Sequence, residues 1–495
     1  MLIINPKRKI SEIDPMIYGQ FIEHFHRQIY GGVYDPESQY ADEDGFRSDV
    51  LEAMKKIKVP ILRWPGGCFV SAYHWYDGVG AKREPVYNKA WREVDPNTFG
   101  TDEYVKLCRK IGCRPYICTN AGTGSSEEMS DWVEYCNLPA GSKYSNMRAA
   151  GGNEKPHGVK YWSIGNENYG HWEMGAKSAK EWGRLVLESA KMMKRVDPSI
   201  ELSAAALNDM DWNAELLKNC GDRLDWISLH GYWDFHQGKN QLEDYDTCIN
   251  YIRDLEKPVR QVKGLLTALG HDHIRIAYDE WNLRAWYHPN IMDLYQGLTE
   301  DEYLTPRNDN DLNSQYTMAD GVFTAAFLNM CIRNSNIIGM AAFSPIVNTR
   351  GMIYTYEDGI VLRPTYHVFD LYVNEMESNY IDMYSDGDIP QGVDMAATAD
   401  DTGSRISIGL VNTDRTSDKQ IELKLDGLIR EGAKYRLLTV NGESENSYND
   451  VDRQEVGIRT GKWKDIPGES TDAVNRLELQ LEPHSVNVLQ IHMTA

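Results

Sequence analysis

Tyr161-Trp162-Ser163-Ile164-Gly165-Asn166-Glu167 reads as a short buried strand that breaks off on a polar pair, Asn166-Glu167. A second stretch answers it much later: Ile274-Arg275-Ile276-Ala277-Tyr278-Asp279-Glu280-Trp281-Asn282, again a strand ending on a carboxylate, here followed by an aromatic. In a parallel barrel the C-terminal strand ends share one rim, so two such strands deliver two Glu side chains to one site. A pair of facing carboxyls is what a retaining glycosidase needs.

Working outward, the pattern repeats. Apolar runs at 16–24, 60–68, 114–119, 159–165, 200–205, 225–230, 274–280 and 337–343 read as eight strands. Helices are expected between them over 46–57, 101–111, 126–136, 178–196, 244–268 and 320–335. The clearest is 178–196, where Trp182, Leu185, Val186, Ala190, Met193 and Val196 form one stripe and Asp197-Pro198 stops it. Thr101 is the expected cap of the helix that Gly112 closes. Long polar and aromatic loops are expected after the second strand, holding Tyr73, His74, Trp75, Asp77 and Trp91, and over 284–315. Eight alternating strands predict an α/β fold, a (β/α)8 TIM barrel, rather than an open doubly wound sheet, because no Gly-x-Gly-x-x-Gly follows the first strand. Gly122-Thr123-Gly124-Ser125-Ser126 lacks the Gly-Lys-Ser/Thr of a P-loop and reads as a turn.

After about 370 the period changes to two. Ile406, Ile408 and Leu410 alternate, as do Ile421, Leu423 and Leu425, then Leu477, Leu479 and Leu481, then Val486 and Val488. This predicts a C-terminal antiparallel β-sandwich, jelly-roll-like, over 371–495, following a catalytic barrel over 16–370. A chain of 495 residues has room for both. The net charge of −22 excludes nucleic acid and disfavours an anionic membrane as partner, and suits a neutral substrate. None of the eight cysteines forms Cys-x-x-Cys or a Cys/His cluster with zinc spacing, so free thiols, no metal and no cofactor are expected. Met1-Leu2-Ile3-Ile4-Asn5-Pro6 lacks the apolar core of a signal peptide, which points to the cytoplasm.

The residues at or just past the strand ends are Glu23, Gly66-Gly67-Cys68, Asn120, Asn166-Glu167, His230-Gly231-Tyr232 and Glu280-Trp281. Carboxylates and amides bridge adjacent hydroxyls, and aromatic rings stack on the apolar face of a sugar, so this is a carbohydrate-binding vocabulary. Hydrolysis with retention needs one carboxyl protonated as acid and one ionised as nucleophile. Spacing alone leaves open which Glu is which. An amide at Asn166 is suited to hold the sugar 2-hydroxyl.

Trp162-Ser163-Ile164-Gly165-Asn166-Glu167 together with Asp279-Glu280-Trp281-Asn282 resembles the α-L-arabinofuranosidases of glycoside hydrolase family 51. Arg63-Trp64-Pro65-Gly66-Gly67-Cys68-Phe69-Val70-Ser71, His74-Trp75-Tyr76-Asp77-Gly78-Val79-Gly80, Phe21-Ile22-Glu23-His24 and Tyr30-Gly31-Gly32-Val33-Tyr34 extend the likeness over essentially the whole chain. The resemblance implies Glu167 as acid/base and Glu280 as nucleophile. It implies that Glu23, Cys68, Asn166 and Tyr232 hold the arabinofuranose, with His230 near the nucleophile and Trp91 on the leaving-group side. It also implies that residues 1–15 join the C-terminal domain, that arabinose-containing oligosaccharides from arabinan or arabinoxylan are the substrates, and that the assembly is a homohexamer. Many members place a Gln just after strand eight, where this chain has Phe343-Ser344-Pro345-Ile346-Val347-Asn348-Thr349-Arg350-Gly351, with Asn348 or Arg350 as the candidate replacement. The rival readings are an endo-β-glucanase or β-xylosidase using the same two Glu, and a non-catalytic carbohydrate-binding protein.

Overall fold

The computed structural model describes residues 1–234, 242–285, 311–385, 390–425, 432–466 and 476–493. Eight parallel strands close into a barrel in chain order: Gly19–Phe21, Ile61–Trp64, Arg114–Thr119, Tyr161–Ile164, Glu201–Ala205, Trp226–Asp234, Arg275–Arg284 and Ile338–Phe343. They are called barrel strands one to eight below. Strand one is shorter than the apolar run suggests, because Pro15–Tyr18 winds into a 3-10 turn capped by Asp14.

Strand alternation sorts the side chains into layers. Met16, Ile61, Tyr116, Tyr161, Trp226, Ala277 and Met340 plug the bottom of the barrel. Two residues further along, Arg63, Cys118, Ser163, Ser228 and Asp279 form a buried polar layer. The Asp279 carboxylate there accepts hydrogen bonds from Tyr116 Oη and Ser228 Oγ, each at 2.6 Å. The intervening residues Leu62, Trp64, Ile117, Trp162 and Ile227 face the helices.

Ala179–Val196 shows why the outer helices form. Ser178 and Glu181 make a reciprocal capping box, and Trp182, Val186, Ala190 and Met193 are buried against the barrel. Each large side chain so buried contributes about 1.5–3 kcal/mol. Thr101 is the first residue of Thr101–Ile111 rather than its cap: Gly100 holds the cap position, Glu103 accepts from its N–H, and Thr101 Oγ1 accepts from Trp132 Nε1. Met318–Arg333 is apolar on every side because it lies between the barrel and the C-terminal sheet. The expected loop at 284–315 falls mostly on 286–310, outside the described residues.

The C-terminal domain is a mostly antiparallel sheet. Its hydrogen-bonded path runs Gly457–Thr460, Lys434–Asn441, Val486–His492, Arg405–Asn412, Val393–Ala399, Asn379–Ser385, Leu2–Glu12, Lys419–Leu425, Arg476–Leu481. Leu2–Glu12 pairs antiparallel to Asn379–Ser385 and parallel to Lys419–Leu425. Ile406, Ile408, Leu410, Ile421, Leu423, Leu477, Leu489 and Ile491 fill this domain's own core, whereas Val486 and Val488 turn the other way and pack into the barrel's core. Among the described residues no helix is long and apolar enough to cross a membrane.

Candidate active site

Strand seven carries one residue more than its neighbours near the rim. Ala277 pairs with Ser228 and Glu280 with His230, while Tyr278 pairs with Ala341 and Trp281 with Phe343. Such a bulge re-aims a side chain. Here it brings both Asp279 and Glu280 onto one buried guanidinium. Arg63 Nη1 donates to Glu280 Oε2 at 2.6 Å, and Arg63 Nε lies 3.7 Å from Asp279 Oδ2. Arg63 Nη2 donates to Asn166 Oδ1 at 2.8 Å, so one side chain ties strand seven to strand four.

Strand four ends at Ile164, and Gly165 turns the chain with φ of +69°. A side chain at Gly165 would collide with Asn168, Trp182 and Ala121. Glu167 itself sits in the left-handed region, with φ of +45°. That conformation costs a non-glycine residue about 1–3 kcal/mol and is characteristic of functional positions. It is held by contacts: Glu167 Oε1 accepts from His230 Nδ1 at 2.7 Å, and Oε2 accepts from Trp172 Nε1 at 2.9 Å.

His230 stands among three carboxylates. Its Nδ1 is 3.7 Å from Glu280 Oε2 and its Nε2 3.5 Å from Asp279 Oδ1. Burial opposes its charge, but Glu280, Asp279 and Glu167 together push it up to about 10. It is therefore an imidazolium at neutral pH. Burial would raise the Glu167 carboxyl, yet the hydrogen bond and charge of His230, with Trp172 and Arg63, bring it below its ordinary value. Asp279 follows the same logic: burial is outweighed by Arg63, His230 and Ser228, and its carboxyl falls to about 2.

Glu23, just past strand one, approaches from the other side. Its Oε1 accepts from Phe69 N at 3.0 Å and from Trp91 Nε1 at 2.8 Å. A side chain at Gly66 would run into Glu23, and one at Gly67 would reach both Glu23 and Glu280. The glycines thus let the backbone press against the two carboxylates. Burial, then the charge of Glu280, raises the Glu23 carboxyl to about 7 despite those donors and Arg63. Trp91 is carried to Glu23 by a hairpin, Val86–Asn88 with Glu93–Asp95.

Tyr232 Oη donates to Glu280 Oε1 at 2.7 Å and lies 2.8 Å from Ser344 Oγ. In the segment after strand eight, then, Ser344 contacts the nucleophile candidate's partner, and the Arg350 guanidinium lies over the Tyr232 ring at 4.5 Å, its Nε on Ser344 O. Asn348 plays no such part: its amide donates to Arg27 O and Thr355 Oγ1.

Glu23, Cys68, Trp91, Asn166, Glu167, His230, Tyr232 and Glu280 are thus gathered at one end of the barrel. Two expected residues are not. Asn120 spends its amide on Tyr73 O, Thr123 and the N–H groups of Gly122 and Thr123, building its own loop. Trp281 points outward after the bulge, fully buried and stacked on Phe327 at 3.7 Å between centroids. Arg63, Asp279, Trp172, Glu173 and Ser344 were not singled out from sequence. An Arg inside the otherwise apolar run Ile61-Leu62-Arg63-Trp64 was the one available signal.

Two trios converge within 4.8 Å and would suit a cation: Cys68, Glu167 and Glu173, and Glu167, His230 and Glu280. In the second, His230 Nδ1 lies 2.7 Å from Glu167 Oε1 and 3.7 Å from Glu280 Oε2. The positive charge the carboxylates need already comes from Arg63 and His230.

Two family models match the chain: the α-L-arabinofuranosidase 1 domain over residues 53–250 and the α-L-arabinofuranosidase C-terminal domain over residues 279–485. A probable α-L-arabinofuranosidase C of Aspergillus clavatus is 31% identical over 93% of each chain. An intracellular exo-α-(1→5)-L-arabinofuranosidase of Acetivibrio thermocellus is 36% identical over 72% of each. The crystal structure of the Thermotoga maritima α-L-arabinofuranosidase in complex with arabinose superposes with a TM-score of 0.87, at 32% identity and 99% coverage of both chains. The fold, the site and these likenesses agree, and the chain belongs to the α-L-arabinofuranosidases of glycoside hydrolase family 51, hydrolases that act on arabinofuranosides.

Proposed function

We propose that the chain is a retaining, exo-acting α-L-arabinofuranosidase working by double displacement, with Glu280 as nucleophile and Glu167 as acid/base. The observation that carries this is the approach of the two carboxyls: one oxygen of Glu167 and one of Glu280 lie within 4.8 Å. Retaining enzymes hold their carboxyls about 5–5.5 Å apart, whereas inverting ones leave about 6.5–9.5 Å for a water. Glu280 has the environment of a nucleophile, its two oxygens oriented by donors from Arg63 and Tyr232. The resting proton of the acid sits on His230, 2.7 Å from Glu167. Glu280 supplies the strongest of the fields that keep that imidazole charged. As Glu280 attacks the anomeric carbon its charge is consumed in the new bond, His230 becomes a stronger acid, and the proton passes through Glu167 to the departing oxygen. In the second step Glu167 takes a proton from water, the hydroxide displaces Glu280, and the returning carboxylate draws the proton back to His230.

The substrates proposed are arabinan and arabinoxylan oligosaccharides that end in arabinofuranose, in line with the exo-acting relative of Acetivibrio thermocellus. The eight cysteines stand as free thiols, which suits a reducing cytoplasm. A homohexamer remains the proposed assembly, to be read from the mass in solution.

Proton NMR during hydrolysis of 4-nitrophenyl α-L-arabinofuranoside tests the mechanism. The first-formed arabinose is expected as the α-anomer; a β-anomer would overturn retention. Glu167→Ala tests the acid. It is expected to lose about 10²- to 10⁴-fold in kcat/KM on arabino-oligosaccharides, whose leaving alcohol needs the proton, and about tenfold or less on a 2,4-dinitrophenyl glycoside, which does not. Equal losses on both would remove Glu167 from that role. A panel including β-D-xyloside and β-D-glucoside is expected to show preference for the arabinofuranoside.

A further inference from the structure

We infer that Glu173 is a positioning residue of this hydrolytic site, one that fixes the side-chain amide of Asn166 and must be uncharged to do so beside Glu167. This rests on the proposed roles of Glu167 and Glu280 and deepens them.

The geometry has three parts. Asn166 is gripped from both sides: Arg63 Nη2 donates to its Oδ1 at 2.8 Å, and its own Nδ2 donates to Glu173 Oε2 at 3.2 Å. One amide hydrogen is thereby spent and the amide plane is fixed, which leaves the second hydrogen for the sugar 2-hydroxyl that Asn166 is expected to hold. Next, Glu173 is buried at 3% exposure, and its Oε1 has no hydrogen-bond partner among the described residues. Finally, a Glu173 oxygen, a Glu167 oxygen and Cys68 Sγ lie within 4.8 Å of one another.

No cation pairs with Glu173 among the described residues; Arg63 is committed to Glu280, Asp279 and Asn166, and His230 to Glu167 and Asp279. A second buried carboxylate within reach of Glu167 with no counter-charge is expensive, and such a group neutralises itself by keeping a proton. The proton belongs on Oε1, since Oε2 accepts from Asn166. Burial, then the charge of Glu167, raises Glu173 to about 8, against the opposing influence of the neighbouring Ser71 and Cys68 and of the Asn166 amide. The titratable groups facing it are Cys68 from the loop after strand two, and Glu167 and Tyr169 from its own loop. Burial lifts the Cys68 thiol and the Tyr169 hydroxyl well above their ordinary values, with neighbouring carboxylates adding to it, so neither ionises near pH 8. Glu23 titrates lower, at about 7, and gives a separate step.

When Glu173 ionises, its negative charge raises the proton affinity of Glu167, which makes Glu167 a weaker proton donor to the leaving oxygen and opposes its return to the carboxylate form. The contact at the 2-hydroxyl strengthens in the transition state, so disturbing Asn166 should appear in kcat more than in KM.

The experiment compares wild type, Glu173→Gln and Glu173→Ala across pH 5–10 on 4-nitrophenyl α-L-arabinofuranoside and its 2-deoxy analogue. Glutamine keeps a carbonyl for Asn166 and cannot ionise. Glu173→Gln is expected to keep kcat/KM within about threefold at pH 6 and to lose the alkaline step near pH 8, leaving the lower step in place. Glu173→Ala is expected to lose about 10- to 100-fold, mainly in kcat, on the arabinofuranoside and about threefold or less on the 2-deoxy analogue. Glutamine matching alanine at every pH, an unchanged alkaline step in Glu173→Gln, or equal losses on the two substrates would each overturn the assignment. If alanine fails to fold, the pH profile of Glu173→Gln decides alone. Should the roles of Glu167 and Glu280 be wrong, the anomer and leaving-group tests fail in wild type and Glu167→Ala, independently of anything at residue 173.

Discussion

Glu280→Ala is expected to lower kcat on every arabinofuranoside by on the order of 10⁵-fold, the scale on which losing a nucleophile is felt in a covalent mechanism. The geometry gives no substitute. Asp279 is beside it in sequence but is committed below the rim to Arg63, Tyr116 and Ser228. Glu23 lies across the site, held by Phe69 N and Trp91 and carrying a proton below about pH 7. Removing the Glu280 side chain leaves a space bounded by Gly67, Arg63 and Tyr232, and the guanidinium makes that space attractive to a small anion. Azide is therefore expected to restore turnover of a dinitrophenyl glycoside by attacking from the vacated side, giving the β-L-arabinofuranosyl azide. In Glu167→Ala the nucleophile still forms its ester, and azide opens that ester from the opposite face, giving the α-azide. The two variants thus produce opposite anomers. The same anomer from both, or a Glu280→Ala enzyme within tenfold of wild type, would reverse or remove the assignment.

Barrel and site were legible in the sequence to different degrees, for physical reasons. The two carboxylates could be placed because each ends an apolar run, and strand ends of a parallel barrel share one rim. The same rule over-reached at Asn120 and Trp281. Asn120 caps its own loop, which its position cannot reveal. Trp281 is turned outward by a bulge, and Tyr278-Asp279-Glu280-Trp281 carries no mark of one: simple alternation would have set Asp279 and Glu280 on opposite faces. Glu173 was invisible for another reason. It lies in a loop where an acidic residue is ordinarily solvated, and only the three-dimensional return of that loop over Cys68 and Asn166 buries it. In the C-terminal domain the period of two located the strands well. It could not tell that Val486 and Val488 face the barrel while Leu489 and Ile491 face the sheet's own core.

Arg63→Met is expected to be the most destabilising single change in the site. Arg63 is 1% exposed, and its side chain serves Glu280, Asp279 and Asn166 at once. Methionine fills comparable volume, so the loss is one of charge and hydrogen bonds rather than of packing. Stripping the cation from a buried ion pair costs about 3–5 kcal/mol, because the abandoned carboxylates keep the cost of their burial. The pH dependence separates this from a packing defect. Asp279 is held near 2 in the folded protein, below the ordinary value of 3.8, so in wild type it contributes stability above that ordinary value and loses it as pH falls through about 2. In the variant, burial without Arg63 raises Asp279, and the folded state takes up a proton as the solution is acidified. The gap in melting temperature between wild type and Arg63→Met should therefore be wide at pH 7.5 and narrower at pH 4.5. Activity should fall with it, since a nucleophile that holds a proton cannot attack. Arg63→Lys should recover part of the stability and little of the rate: an ammonium is a point charge and cannot hold Glu280, Asp279 and Asn166 in one plane. A gap that is the same at both pH values would mean that Arg63 acts through shape and not through charge, and the electrostatic account of its hold on Asp279 and Glu280 would go with it.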